Sequence, residues 1–149
     1  MSDPYAKMIT SAEQRKTMKN QVALTLTTTD EVYVEKFEIG DSYQMLKQNV
    51  NGWLECVRLD KNIDMWVNEN GIAENLDYNA TATAIYWTSF GFMSGQIFGN
   101  VVFTSSNDEG DTIGLTKTQG DYLREIAFDI LGIQPQLHPN TNLAGQLSL

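Results

Sequence analysis

Cys56 and His138 are the single cysteine and the single histidine of the 149-residue chain. A thiol beside an imidazole can act as a nucleophile and its base. The two lie far apart in sequence: Cys56 in the alternating run WLECVRL, His138 in the Pro/Asn-rich run IQPQLHPNTNLAGQLSL. They meet only if the C-terminal segment folds back over the strand that carries the thiol. Otherwise Cys56 reads as a small buried hydrophobe. Zinc asks for three or four ligands, which one Cys and one His do not supply. The carboxylates of NDEGD (Asp108, Glu109, Asp111) lack the ligand spread and terminal bidentate Glu of a calcium loop, so they read as a solvated turn. Glu55 shares strand parity with Trp53 and Val57. A two-carboxylate hydrolase would need a second acid converging on it, and a structural ion pair with Arg58 or Lys61 is the expectation. FGFMSG and IFGNV lack the Lys and Ser/Thr of a phosphate cradle and the spacing of a dinucleotide fingerprint. No catalytic set, metal site or cofactor is expected.

What remains is aromatic. IYWTSFGF places Tyr86, Trp87, Phe90 and Phe92 within seven positions, beside the glycines at 91 and 95. Rings in this number either fill the core or line a groove, where they give large contact area at low entropic cost. With Trp66 and with Glu69 of the NENG turn they make the candidate binding set.

These residues need a scaffold. QVALTL and EVYVEKF alternate apolar and polar residues and are rich in β-branched types, which predicts two strands joined at TTDE. GDSYQMLKQNVNG predicts a helix capped by Asp41 or Ser42, with Tyr43, Leu46 and Val50 at helical spacing and Gly52 closing it. Trp53, Glu55, Val57 and Leu59 share one face of the next strand, and Leu54, Cys56 and Arg58 the other. After the turn DKN, Ile63, Met65 and Val67 alternate with Asp64 and Trp66. The two strands are expected side by side at the centre of a sheet, with Asn70-Gly71 in a positive-φ turn. The stretch from Ile72 to Gln96 is ambiguous: NATATAIYW fits a short helix started by Asn79 that packs Ala82, Ile85 and Tyr86, and the glycines at 91 and 95 mark a loop. IFGNVVFTSS is a strand with a bulge or close approach at Gly99-Asn100. TKTQGDYLREIAFDILG is a helix capped by Thr116 or Thr118, with Tyr122, Ile126 and Ile130 on one stripe and Gly132 as its stop.

The expected fold is therefore α+β: a single small domain, mostly antiparallel sheet with two main helices packed on it. A polar arm, 1–20, with a short helix capped at Ser11, precedes the domain at 21–132. A Pro/Asn-rich tail, 133–149, follows it.

Net charge is −9. The arm carries four cations (Lys7, Arg15, Lys16, Lys19) against two carboxylates, so the excess negative charge belongs to the rest. That balance disfavours sequence-independent nucleic-acid binding and suits either solubility or a basic protein surface. The N-terminus has no apolar run of a secretory signal and no stretch is long enough to span a membrane. With one cysteine, a reducing intracellular compartment is expected.

The ordered run LKQNVNG, GWLECVRL, DMWVNENG, NATATAIY, IFGNVVFT and NDEGDTIGLT resembles the phage-encoded family called domain of unknown function 3846, over about residues 22–116. The combination of WLECV and GNVVFT is similar to the version carried by tailed phages of cyanobacteria. Two departures stand out: AENLDYN replaces a proline-bearing loop, and the helix after Thr116 and the tail read as additions. The resemblance implies a small virus-encoded α+β protein in the host cell cytoplasm, and no catalytic residues. The resulting expectation is a non-enzymatic phage accessory protein that binds a host protein through an acidic, aromatic-rimmed surface, with a homodimer as an alternative assembly. The competing expectations are a small-molecule sponge for a nucleotide signal of host defence and a minor virion component.

Overall fold

A computed structural model describes residues 20–127, Gly132 and the strand Gln136–Pro139. The expected arm helix at Ser11, Ile130 and most of the tail lie outside the described residues. Ten elements follow one another. They are β1 (Gln21–Leu26), β2 (Glu31–Phe37), α1 (Ser42–Val50), β3 (Leu54–Arg58), β4 (Ile63–Asn68), α2 (Ala80–Phe90), β5 (Val101–Ser106), β6 (Thr112–Ile113), α3 (Lys117–Glu125) and β7 (Gln136–Pro139).

All seven strands join one sheet in the order β3-β4-β5-β1-β2-β7, with β6 paired to β5 beyond the end of β1. Every pairing is antiparallel except β2–β7, where Tyr33 stands across from His138. Part of the expected tail thus supplies an edge strand. Fold class α+β holds.

Strand alternation divides the sheet's side chains between two cores. On one face Leu26, Ile63, Met65, Val67, Val101 and Phe103 pack against Ala82 and Ile85 of α2 and Leu123 of α3. On the other, Ala23, Phe37 and Val102 pack against Met45, Leu46 and Val50 of α1. Helices cover both faces, so the central strands β5 and β1 are apolar at successive positions.

Local chemistry explains the element ends. Asn79 is fully buried and caps α2, its Oδ1 accepting from the Ala82 N–H at 3.0 Å while its Nδ2 donates to the carbonyls of Leu26 and Gly99. That amide fastens a helix to a strand and a loop at once, and α2 runs eleven residues, the longest helix described. Thr116 caps α3 in a reciprocal capping box with Gln119. In α1 the left-handed C-terminal position falls on Asn51, not Gly52. Gly52 is required for room, because any Cβ there would collide with the Asn68 side-chain amide.

Three expectations are corrected. The two strands lie side by side as expected, with Cys56 across from Trp66 and Val57 across from Met65. They lie at the edge of the sheet, however, and β3 is its outermost strand. Gly71 has no positive φ; it is tight instead, with a Cβ at that position only 3.1 Å from the Phe98 carbonyl oxygen. The helix started by Asn79 forms as read and runs on to Phe90 as α2, so three helices, not two, stand among the described residues.

Candidate functional site

The open edge of β3 borders a cleft of about 820 Å³. Its walls come from four pieces of chain: Glu55–Arg58 of β3, the turn from Val67 to Ala73, Tyr86 and Phe90 of α2, and the returning segment Gly95–Phe98. Tyr86 stacks on Phe90 with ring centroids 4.6 Å apart, and Gly95 passes so close to Tyr86 that a Cβ would stand 3.0 Å from its ring. Phe98 packs edge-on to Tyr78 at 5.5 Å. The floor is therefore aromatic. Phe90 is 48 % exposed, and Ile72 at the rim is 73 % exposed. Glu55 and Glu69 are exposed on the lining, and neither forms an ion pair among the described residues.

Of the six residues in the candidate set, three meet in this cleft: Glu69, Tyr86 and Phe90. Trp87 and Phe92 form a neighbouring pair at the end of α2, centroids 5.1 Å apart. The Trp87 indole donates to the Gly95 carbonyl oxygen at 2.6 Å, which anchors the loop that carries Phe92. Phe92 is 80 % exposed, with Met93 beside it also exposed. Trp66 is not part of this surface. It points to the α1 face, packs on that core, and donates its indole N–H to Thr104 Oγ1 at 2.8 Å. Parity decides this: Met65 and Val67 face the cleft side, so Trp66 between them faces away.

Sequence reasoning passed over Phe98, Ile72 and the backbone of β3. The pattern of IFGNVVFTSS predicts a strand residue at Phe98. It belongs to an extended approach, bridged to Tyr78, that ends at Gly99 with φ +88°.

The chemical candidates separate. Cys56 on β3 and His138 on β7 occupy opposite edges of the sheet, five strand spacings or roughly 24 Å apart. The strand that carries His138 is thus not beside the strand that carries the thiol. Cys56 is exposed, against the expectation of burial. Its thiol is pushed up to about 11, first by desolvation of the sulfur against the strand and then by the nearby Asp64 carboxylate, which Arg58 partly offsets. Arg58 pairs with Asp64, Nε to Oδ1 at 3.0 Å, and not with Glu55. The NDEGD segment is a turn organised by Asn107, whose Oδ1 accepts the N–H groups of Glu109 and Asp111. Among the described residues no three His, Cys, Asp or Glu side chains come together as a metal site. No helix among them is long and apolar enough to cross a membrane.

Residues 18–127 match the family described as "Domain of unknown function (DUF3846)". The chain belongs to that family. The match runs past Thr116 to include α3, so that helix is part of the DUF3846 domain and not an addition to it. No curated protein and no solved structure matches this DUF3846 chain.

Proposed function

We propose that this DUF3846 protein is a non-enzymatic, phage-encoded accessory protein that binds a host protein in the host cytoplasm through the cleft beside β3. The observation that carries the reading is the lining itself. Tyr86, Phe90 and Phe98 give an apolar floor, and Glu55 and Glu69 place two carboxylates over it. Aromatic anchors inside an acidic rim suit a basic, partly apolar protein segment. The exposed Phe92, Met93 and Ile72 extend the apolar area beyond the cleft.

A cleft of this size also falls in the range of small-molecule sites. Two carboxylates without a lining cation other than Arg58, itself paired to Asp64, disfavour a phosphate-bearing nucleotide signal. The protein-binding reading is therefore preferred.

The test is capture from host lysate with the wild-type protein beside Glu69→Lys and Phe90→Ser. Both residues are exposed, so both variants should fold, as circular dichroism will verify. A host protein retained by the wild type at moderate salt and lost from both variants is the expected result. Identical retention by all three proteins, or a shift in melting temperature with nucleotides and not with any protein, would reject it.

A further inference from the structure

The geometry points to strand addition as the way the cleft takes its partner: a basic, extended segment pairs with β3 as an extra strand of the sheet. This rests on the protein-binding reading above and specifies how the partner is held.

The backbone of β3 is half used. The Leu59 N–H donates to the Ile63 carbonyl, and the Glu69 N–H to the Trp53 carbonyl, both at 2.8 Å. In an antiparallel ladder these narrow pairs alternate along the strand. Residues 53, 55, 57 and 59 therefore turn their amides toward β4, and Leu54, Cys56 and Arg58 turn theirs outward. No described strand lies on that side. Three N–H donors and three carbonyl acceptors line an edge that is also a wall of the cleft. An extended peptide satisfies such groups with its own backbone, and specificity then comes from alternate side chains.

Register fixes which side chains matter. A strand added to β3 would place residues opposite Glu55 and Val57 on the α2 face, inside the cleft. The residue across from Glu55 also approaches Glu69, which selects lysine or arginine. The residue across from Val57 meets Tyr86 and Phe90, which selects an aliphatic side chain. The partner motif is thus a cation and an aliphatic residue two positions apart in an extended segment. Charge also argues against a second copy of this chain. Antiparallel pairing of two β3 edges about Cys56 would set the two Glu55 side chains diagonally across from one another on one face, between chains that each carry net charge −9.

The probe is a blocked nine-residue peptide alternating threonine with lysine and valine, titrated against the full chain. Two N-methylated forms separate the backbone from the side chains: one methylated at the amides that would face β3, the other at those facing solvent. The expected result is binding by the parent and the solvent-side form, and at least about tenfold weaker binding by the β3-side form, equivalent to about 1.4 kcal/mol. Slowed amide exchange at Leu54, Cys56 and Arg58 should accompany binding. Equal affinity of both methylated forms, with Phe90→Ser still abolishing binding, would sink strand addition while leaving the cleft reading intact. No binding by the parent peptide overturns the assigned partner chemistry, and host capture still decides the cleft reading. Protection of the same three amides in the peptide-free protein would also overturn the proposal. It would assign the edge to a second copy if concentration-dependent, and to residues 1–19 of the chain if not.

Discussion

Cys56 shows how one neighbour decides a side chain's chemistry. It is exposed on an edge strand, the usual setting of a reactive thiol, yet desolvation of its sulfur and the Asp64 carboxylate both oppose the thiolate. Since the thiolate is the nucleophile, alkylation by iodoacetamide at pH 8 should run roughly tenfold or more slower than for an unfolded cysteine peptide, a conservative figure given solvent screening at the site. The sign of the stability effect follows. Ionising this thiol is harder in the folded protein than in the unfolded chain. The neutral thiol's contribution is therefore fully present below the ordinary thiol value of 9.0 and lost as pH rises through about 11. Urea midpoints between pH 8 and 11.5 measure this. A Cys56→Ser protein should lose less stability over that interval than the wild type, and parallel profiles would contradict the assignment. Asp64, only 2 % exposed and held by Arg58, is a second residue whose environment the sequence hid. Glu55 looked the better partner for Arg58 only because it is nearer in sequence. The Asp64–Arg58 pair spans two strands, and finding it needs the hairpin register.

At the scale of elements, Gln119 carries more than its helix. Its Oε1 accepts the Thr116 N–H at 2.9 Å, and its Nε2 donates to the Lys61 carbonyl and to Ser105 Oγ, both at 3.0 Å. The first contact closes the capping box; the others tie α3 to the β3–β4 turn and to β5. Gln119→Ala removes half of the capping box and the hydrogen bonds that tie α3 to the β3–β4 turn and to β5, an expected loss of about 1–3 kcal/mol. Thr118→Ala, on the exposed side of the same turn, should change stability by less than about 0.5 kcal/mol. Chemical denaturation of the two variants checks this, and equal losses would show that the Gln119 contacts are incidental. The capping signal was legible because Thr116 and Gln119 are three positions apart. The contacts to Lys61 and Ser105 were not, since they join residues more than ten positions apart. The same limit explains the other elements. Strand alternation gave the faces of β3 and β4, but their register and the placing of β3 at the edge needed the pairings of β3 with β4 and of β4 with β5. Helix α2 was ambiguous because ATATAIYWTSF is apolar nearly all round, and a helix between a sheet and an aromatic loop shows no clear stripe.

Over the whole molecule, charge and topology act on the same edge. The chain carries net charge −9, and β3, the outermost strand, carries Glu55 and Arg58 on its exposed positions. Charged edge strands discourage pairing with identical chains, while an acidic field attracts a basic one. If recognition couples this field to the aromatic floor, affinity for a basic partner must fall with salt. The Debye length shrinks from about 14 Å to about 4 Å between 0.05 and 0.5 M salt. Most of the loss should appear in the association rate, because steering is long-ranged and the stacking on Tyr86 and Phe90 is not. Stopped-flow binding of the lysine/valine peptide across that range is the measurement. The expected outcome is a steep fall in association rate and a shallow change in dissociation rate. The free protein should lose no thermal stability over the same range, since salt also screens its self-repulsion. Were association insensitive to salt, the carboxylates would be solubilising groups, and the partner would be selected by the rings and the strand edge alone.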